Sequence, residues 1–283
     1  MNGEKQTTIL IVEDNPLTLR VLIEHLKKLG VNAPVARSGE EALRQIGLDK
    51  PDLILLDIML PGIDGFETCR RLKSNETTKD IPVIFMTALS ETADKVKGFE
   101  VGGVDYITKP IDFKEVISRV KTRLTIQRLQ KRLQTKNSYI SSGKREKNDE
   151  KKANILIVED NPMTLEVLSG YLNRLGFSVH GVQSGEEAIQ QTESLQPDLI
   201  LLDIVLPGID GFETCRRLKN KSATKDIPVI FMTALSEITD KVKAFEAGGT
   251  DYITKPHHYA EVVARVNTHL TLRSLQRQLQ KQK

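Results

Sequence analysis

No stretch of the 283-residue chain reaches eighteen consecutive apolar residues, and no apolar segment follows a charged N-terminus. A membrane-spanning helix and a secretory leader are therefore not expected, and a cytoplasmic location is. Cysteine is almost missing. Cys69 and Cys215 are the only two, and they occupy matching places in a repeat, which is odd for a disulfide and ordinary for packing residues in a reducing compartment. An excess of one charge sign is also missing: 41 basic against 38 acidic residues leave a net charge of +3. That is no electrostatic footprint for nucleic acid, and direct nucleic-acid binding is not expected. No helix-turn-helix, GxGxxG or GK[ST] phosphate loop stands in the chain to suggest a DNA reader or a nucleotide enzyme.

What is present is a duplication. With 39% apolar residues the length suits two ordinary cores better than one. ILIVEDNPLTL from Ile9 returns as ILIVEDNPMTL from Ile155, and LLDIMLPGIDGFETCRRLK from Leu55 returns from Leu201 with Met59 replaced by Val205. KDIPVIFMTALSE and DYITKP also recur, all at an offset of 146 residues, the size of a domain. We expect a first domain over residues 1–134, a polar linker over 135–152 and a second domain over 153–283. The linker sequence (TKNSYISSGKREKNDEKK) has no apolar periodicity, and a flexible chain of that length spans roughly 20 to 25 Å.

Within each copy short apolar runs alternate with longer helical patterns, the signature of an α/β fold with a parallel sheet covered on both faces. Strands are expected near Thr8 to Val12, Pro34 to Ala36, Leu53 to Leu56, Val83 to Met86 and Tyr106 to Ile107, each followed by a helix. Asn15 and Pro16 read as a helix start, and Ser38 with Glu41 as a capping box; Asn161, Pro162, Ser184 and Glu187 repeat both signals.

A strand that ends in an acid delivers it to the carboxyl edge of the sheet, where open parallel folds bind ligands. Asp57 ends the third strand of the first copy, Glu13 and Asp14 the first, Thr87 the fourth and Lys109 the fifth. Three carboxylates converging on one crevice repel one another and need a cation. Mg²⁺ suits an oxygen-only site that leaves room for water and phosphate. With Lys109 as ammonium and Thr87 as hydroxyl donor, the set describes a site for a transferring phosphoryl group. Taken alone, any one of these acids is equally an ordinary helix cap.

EDNP at Glu13 to Pro16, the lone Asp57 before IMLPGIDG, the MTA with Thr87 and the TKP with Lys109 together resemble the receiver domain of bacterial two-component response regulators. The second copy carries the same elements at Glu159 to Pro162, Asp203, Thr233 and Lys255. The resemblance implies two flavodoxin-like, doubly wound five-stranded sheets of order 2-1-3-4-5. It implies phosphorylation of Asp57 and Asp203 by a histidine kinase or phosphotransfer protein. It also implies Mg²⁺ on Asp14, Asp57 and the Met59 carbonyl, with Glu13 acting through water, and the same roles for Asp160, Asp203, the Val205 carbonyl and Glu159. A cis bond is implied before Pro110 and Pro256. Thr87 with Tyr106, and Thr233 with Tyr252, take the positions of the family's switch, in which the hydroxyl moves inward, the aromatic ring turns from exposed to buried, and the fourth helix, fifth strand and fifth helix repack. Each tyrosine is otherwise a strand-edge packing residue.

The last helix of each copy is expected to extend beyond its domain, through Ile117, Val120, Leu124, Ile126, Leu129 and Leu133, and through Val263, Val266, Leu270, Leu272, Leu275 and Leu279. Such a stripe either pairs chains into a homodimer or packs back on its own domain. His257 and His258 read as a solvated pair at a helix start rather than a relay histidine. The chain is not expected to be a conventional enzyme, only to phosphorylate itself from a donor and lose the phosphate slowly, because Met59 and Leu89, or Val205 and Leu235, offer no group to orient water. Alternatives are a regulatory fragment of a longer diguanylate cyclase or hybrid kinase, and a scaffold independent of phosphorylation. The output then lies on a separate protein or a missing domain. The copies diverge at Arg20 against Glu166, Glu24 against Gly170 and the residues after each TKP, where distinct kinases would be chosen.

Overall fold

The structure is a computed structural model, and it describes residues 6–87, 97–139, 152–233, 238–255 and 258–281. Ten strands and nine helices are assigned among them. The first repeat runs β1 (Ile9–Val12), α1 (Pro16–Lys27), β2 (Val35–Ala36), α2 (Gly39–Leu48), β3 (Leu53–Asp57), α3 (Gly65–Ser74), β4 (Val83–Thr87), β5 (Asp105–Thr108) and α4 (Phe113–Tyr139). Residues 97–100 are helical as well, and 88–96 lie outside the described residues. The second repeat runs β6 (Asn154–Val158), α5 (Pro162–Arg174), β7 (Ser178–Val182), α6 (Gly185–Leu195), β8 (Leu199–Asp203), α7 (Gly211–Asn220), β9 (Val229–Thr233), α8 (Ile238–Glu246), β10 (Asp251–Thr254) and α9 (Tyr259–Lys281). Every strand pairing is parallel, and the orders are β2-β1-β3-β4-β5 and β7-β6-β8-β9-β10, the α/β arrangement expected.

The unbroken apolar strands follow from burial on both faces. Leu10, Ile54, Leu56 and Phe85 face α2 and α3 in one core, while Ile9, Ile11, Leu55 and Met86 face α1 and α4 in another. The second repeat builds the same two layers. Cys69 and Cys215 are free and fully buried, and burial pushes both thiols up to about 11. They are inert packing residues, as expected.

The caps form with one change from the sequence reading. Asn15 Oδ1 accepts from the N–H groups of Leu17 and Thr18, with Pro16 in the first turn. Ser38 Oγ accepts from the Glu41 N–H at 3.2 Å, but the Glu41 carboxylate reaches back past the cap residue to the Arg37 N–H at 2.7 Å. Glu187 makes the same longer reach to Gln183.

The chain divides into two compact units, residues 1–127 and 128–283. Helix α4 runs on to Tyr139, so residues 135–139 of the expected linker are helical. TKNSY contains no helix breaker. The last helices are long, 27 residues for α4 and 23 for α9. Leu124 belongs to the core of the first unit and Leu270 packs on that of the second, so each helix begins by lying on its own domain. His258 is half-buried, and its carbonyl accepts from Val262 N–H at the start of α9; His257 lies outside the described residues.

Candidate functional site

Parallel pairing brings the ends of β1, β3, β4 and β5 to one edge, and β1 beside β3 is the point where the strand order reverses, so a crevice opens there. Glu13 and Asp14 follow β1, and Asp57 is the last residue of β3. Glu13, Asp14 and Asp57 each offer a carboxylate oxygen within 4.8 Å of the others, and Glu159, Asp160 and Asp203 do the same. Glu13 and Asp57 are buried, whereas Asp14 faces solvent; Glu159, Asp203 and Asp160 divide in the same way. This is the convergence the sequence implied.

The Lys109 ammonium donates to Asp57 Oδ2 at 2.5 Å and to Glu13 Oε2 at 2.8 Å. Lys255 donates to Asp203 and to Glu159 Oε2, the latter at 2.6 Å. Burial opposes charge on each ammonium, but the hydrogen bonds it donates to the two carboxylates, with their charge, outweigh this and hold both lysines above the usual lysine range. Burial likewise pushes the Glu13 and Glu159 carboxyls up, against the pull of those lysines. The lysine's position comes from the strand: Lys109 N–H donates to the Thr87 carbonyl at 2.6 Å, and Lys255 N–H to that of Thr233. Thr87 and Thr233 are thereby set at the same edge, both buried.

The loop after β3 folds back over the acid. Met59 N–H donates to Asp57 Oδ1 at 3.2 Å, and Val205 N–H to Asp203 Oδ1 at the same distance, with both side chains exposed. Gly65 N–H closes the loop on the Ile58 carbonyl, and a Cβ there would lie 2.2 Å from the Asp57 carbonyl oxygen, so only glycine starts α3 this close. The bond between Lys109 and Pro110 is cis; Pro256, Leu89 and Leu235 fall outside the described residues.

Tyr106 and Tyr252 are buried, each edge-on to a phenylalanine, Phe99 at 6.1 Å and Phe245 at 6.2 Å between centroids. A cavity of about 10 Å³ bounded by Thr87, Phe99 and Tyr106 is barely the room one water needs.

Two sets of residues escaped the sequence reading. Arg119 is buried between Asp105, 3.1 Å from Nη1, and Glu115, 2.8 Å from Nε, and Arg265 repeats this with Asp251 and Glu261, with His269 added on Asp251 at 3.2 Å. A Glu–Arg pair four apart on a helix usually marks a solvated face, so nothing in the sequence flagged its burial. The second set is Glu40 and Glu186, whose carboxylates accept from Ile63 N–H at 3.0 Å and Ile209 N–H at 3.1 Å. The repetition of SGEEA in both copies was the available signal.

The donor chemistry fits a hard divalent cation: all-oxygen ligands, with three carboxylates against one ammonium leaving two negative charges in each cluster. Among known proteins, the family described as response regulator receiver domain matches at residues 9–121 and again at 155–267. The response regulator PleD of Caulobacter vibrioides is 32% identical over 267 residues, 93% of this chain and 58% of PleD. The DNA-binding dual master transcriptional regulator RpaA of Synechocystis is 43% identical over 112 residues, 40% of this chain and 46% of its own. The BeF3-activated receiver domain of Klebsiella pneumoniae RstA is 33% identical, matching 42% of this chain and 98% of that one with a TM-score of 0.40. The chain thus spans about half the length of the curated relatives it matches. With both repeats matched over their full sheets, the chain belongs to the response regulator receiver domain family and carries that domain twice.

Proposed function

We propose that Asp57 and Asp203 are the phosphoacceptors of two working receivers, each filled from a phosphohistidine on a histidine kinase or phosphotransfer protein. The observation that carries this reading is a buried aspartate held by an ammonium beside two further carboxylates, built identically in both repeats. In the transfer an aspartate oxygen attacks phosphorus; the P–O bond forms as the P–N bond breaks, and the imidazole keeps the electron pair and takes a proton from solvent. Asp14, Asp57 and the Met59 carbonyl, with Glu13 through water, would hold Mg²⁺ in the first repeat, and Asp160, Asp203, the Val205 carbonyl and Glu159 in the second; when bound it would supply positive charge to the phosphoryl oxygens.

The protein's own residues do the rest. Lys109 and Lys255 already sit on one acceptor oxygen and neutralise charge that develops beside it. Thr87 and Thr233 supply a hydroxyl, and the inward tyrosines stabilise the repacked face of the fourth helix, fifth strand and fifth helix. Release is by water attack on the acyl phosphate, which frees phosphate and restores the carboxylate. It is slow, because Met59 and Val205 present no polar group to the incoming water. The protein acts on itself and not as a conventional enzyme; its output resides in a partner protein or a further domain, and the extended helices, α4 above all since Arg273 and Arg277 anchor α9 to its own domain, pair two chains in the cytoplasm.

Incorporation from acetyl phosphate with Mg²⁺ tests this. Asp57→Ala and Asp203→Ala should each remove about half of the phosphate bound, as independent sites do, and the double variant all of it. Full incorporation by either single variant would show that the acceptor lies elsewhere.

A further inference from the structure

The loop after each acceptor strand lies largely in solvent: Met59, Pro61, Gly62 and Asp64 are all exposed. Its two ends are held from within, by Met59 N–H on Asp57 Oδ1 and Gly65 N–H on the Ile58 carbonyl, while Asp64 caps α3 on the Glu67 N–H at 2.7 Å. Its middle is held from another element. Glu40, at the start of α2, accepts from Ile63 N–H across 23 residues of sequence. The approach is close by construction: a Cβ at Gly39 would lie 2.6 Å from Ile63 Cγ1 and 2.1 Å from Thr68 Oγ1. The second repeat reproduces each contact, with Glu186 on Ile209, and Gly185 against Ile209 Cγ1 at 2.8 Å and Thr214 Oγ1 at 2.1 Å.

The span between the pinned residue and the acid is short and stiff. Leu60 packs against the core, Pro61 has its φ set by its ring, and Gly62 turns at φ +81°. Fixing Ile63 therefore fixes where the Met59 backbone stands. We propose that Glu40 and Glu186 are positioning residues of the phosphoryl site, each holding the loop so that the backbone of Met59 or Val205 stays against the acceptor carboxylate. This rests on the reading of Asp57 and Asp203 as acceptors. The helix after the loop is capped by Asp64 or Asp210 rather than by these glutamates, so its start does not depend on them. The Glu40 carboxyl also lies below the usual range, because its own N–H and that of Ile63 donate to it. Glutamine keeps an acceptor oxygen at this reach and alanine does not.

The test uses the full chain carrying Asp203→Ala, so that one site is read, and compares Glu40, Glu40→Gln and Glu40→Ala. Mg²⁺ affinity is measured by calorimetry on the unphosphorylated protein, with hydrogen exchange at Met59 and Ile63 and the thermal midpoint in EDTA. Glu40→Ala should weaken Mg²⁺ binding about tenfold or more, as loss of a group behind metal ligands does, and speed exchange at both amides without moving the midpoint. Excess Mg²⁺ should restore its phosphorylation, and Glu40→Gln should behave as the parent. Unchanged Mg²⁺ affinity in Glu40→Ala, with incorporation still dependent on Asp57, overturns the inference and leaves the acceptor reading intact. A fall in midpoint that accounts for the lost affinity assigns Glu40 to the fold and overturns it too. Incorporation that survives Asp57→Ala removes the acceptor reading, and the inference goes with it.

Discussion

Lys109 is the cation that Glu13 and Asp57 face among the described residues, and both acids are buried. Replacing it by methionine keeps the stem and removes the charge. The cost without Mg²⁺ should be about 3 kcal/mol, the low end for breaking a buried pair, since the lysine is partly solvated. The sign of the pH dependence follows from Glu13. Its carboxyl is raised above 4.5 in the folded protein, so its contribution favours folding at low pH and is lost as pH climbs through the raised value. Without Lys109 that rise is larger. In urea unfolding with EDTA, the gap between Lys109→Met and the parent should therefore widen from pH 5 to pH 8, and a constant gap would refute this account of the pair.

At the scale of elements, the last helix is more than an extension. Arg273 donates from Nη1 to the carbonyls of Pro197 and Asp198, at 2.8 and 2.6 Å, and Arg277 to the Asp198 carboxylate at 2.6 Å. Burial, with Arg277 nearby, pushes the Arg273 guanidinium below its usual range. Helix α9 is thus fastened to the loop before β8 well past the residues that fill the core. Of the two fates the leucine spacing left open, packing on its own domain holds as far as Arg277. The first repeat has Gln127 where the second has Arg273. Arg273→Gln should raise amide exchange over residues 271–281 about tenfold, the loss of roughly one charge-assisted hydrogen bond. Mass spectrometry of the peptides after Leu270 reads it, and unchanged protection would mean that the leucines alone hold the helix.

Across the whole molecule, duplication has copied the site and varied its approaches. Lys109 and Lys255 make matching bonds, and the acid clusters have the same spacing and burial. Exposed Arg20 on α1 faces solvent where α5 presents Glu166. Calorimetry should therefore find two Mg²⁺ sites per chain with affinities within about threefold, and Asp57→Ala should abolish one of them. Acetyl phosphate should fill both acceptors at similar rates, whereas a protein donor that docks on the first helix should prefer one. Unequal rates with the small donor would place the divergence inside the pocket.

The sequence by itself determined the architecture and which side chains meet at the carboxyl edge of each sheet. The apolar runs specify a sheet buried on both faces, the offset of 146 marks the duplication, and the strand-end acids, Thr87 and Lys109 were all legible because each closes a strand whose pattern could be read. Local caps were legible too, down to Asn15 and Ser38, since those contacts span two or three residues. What tertiary structure decided was contact across elements. The bonds from Lys109 to acids 52 and 96 residues away, the inward setting of Tyr106, the burial of Arg119 and the grip of Glu40 on Ile63 all depend on which helix face meets which loop. Periodicity tells which face of an element is apolar. It does not carry the approach distance between elements, and a hydrogen bond at 3 Å depends on that distance.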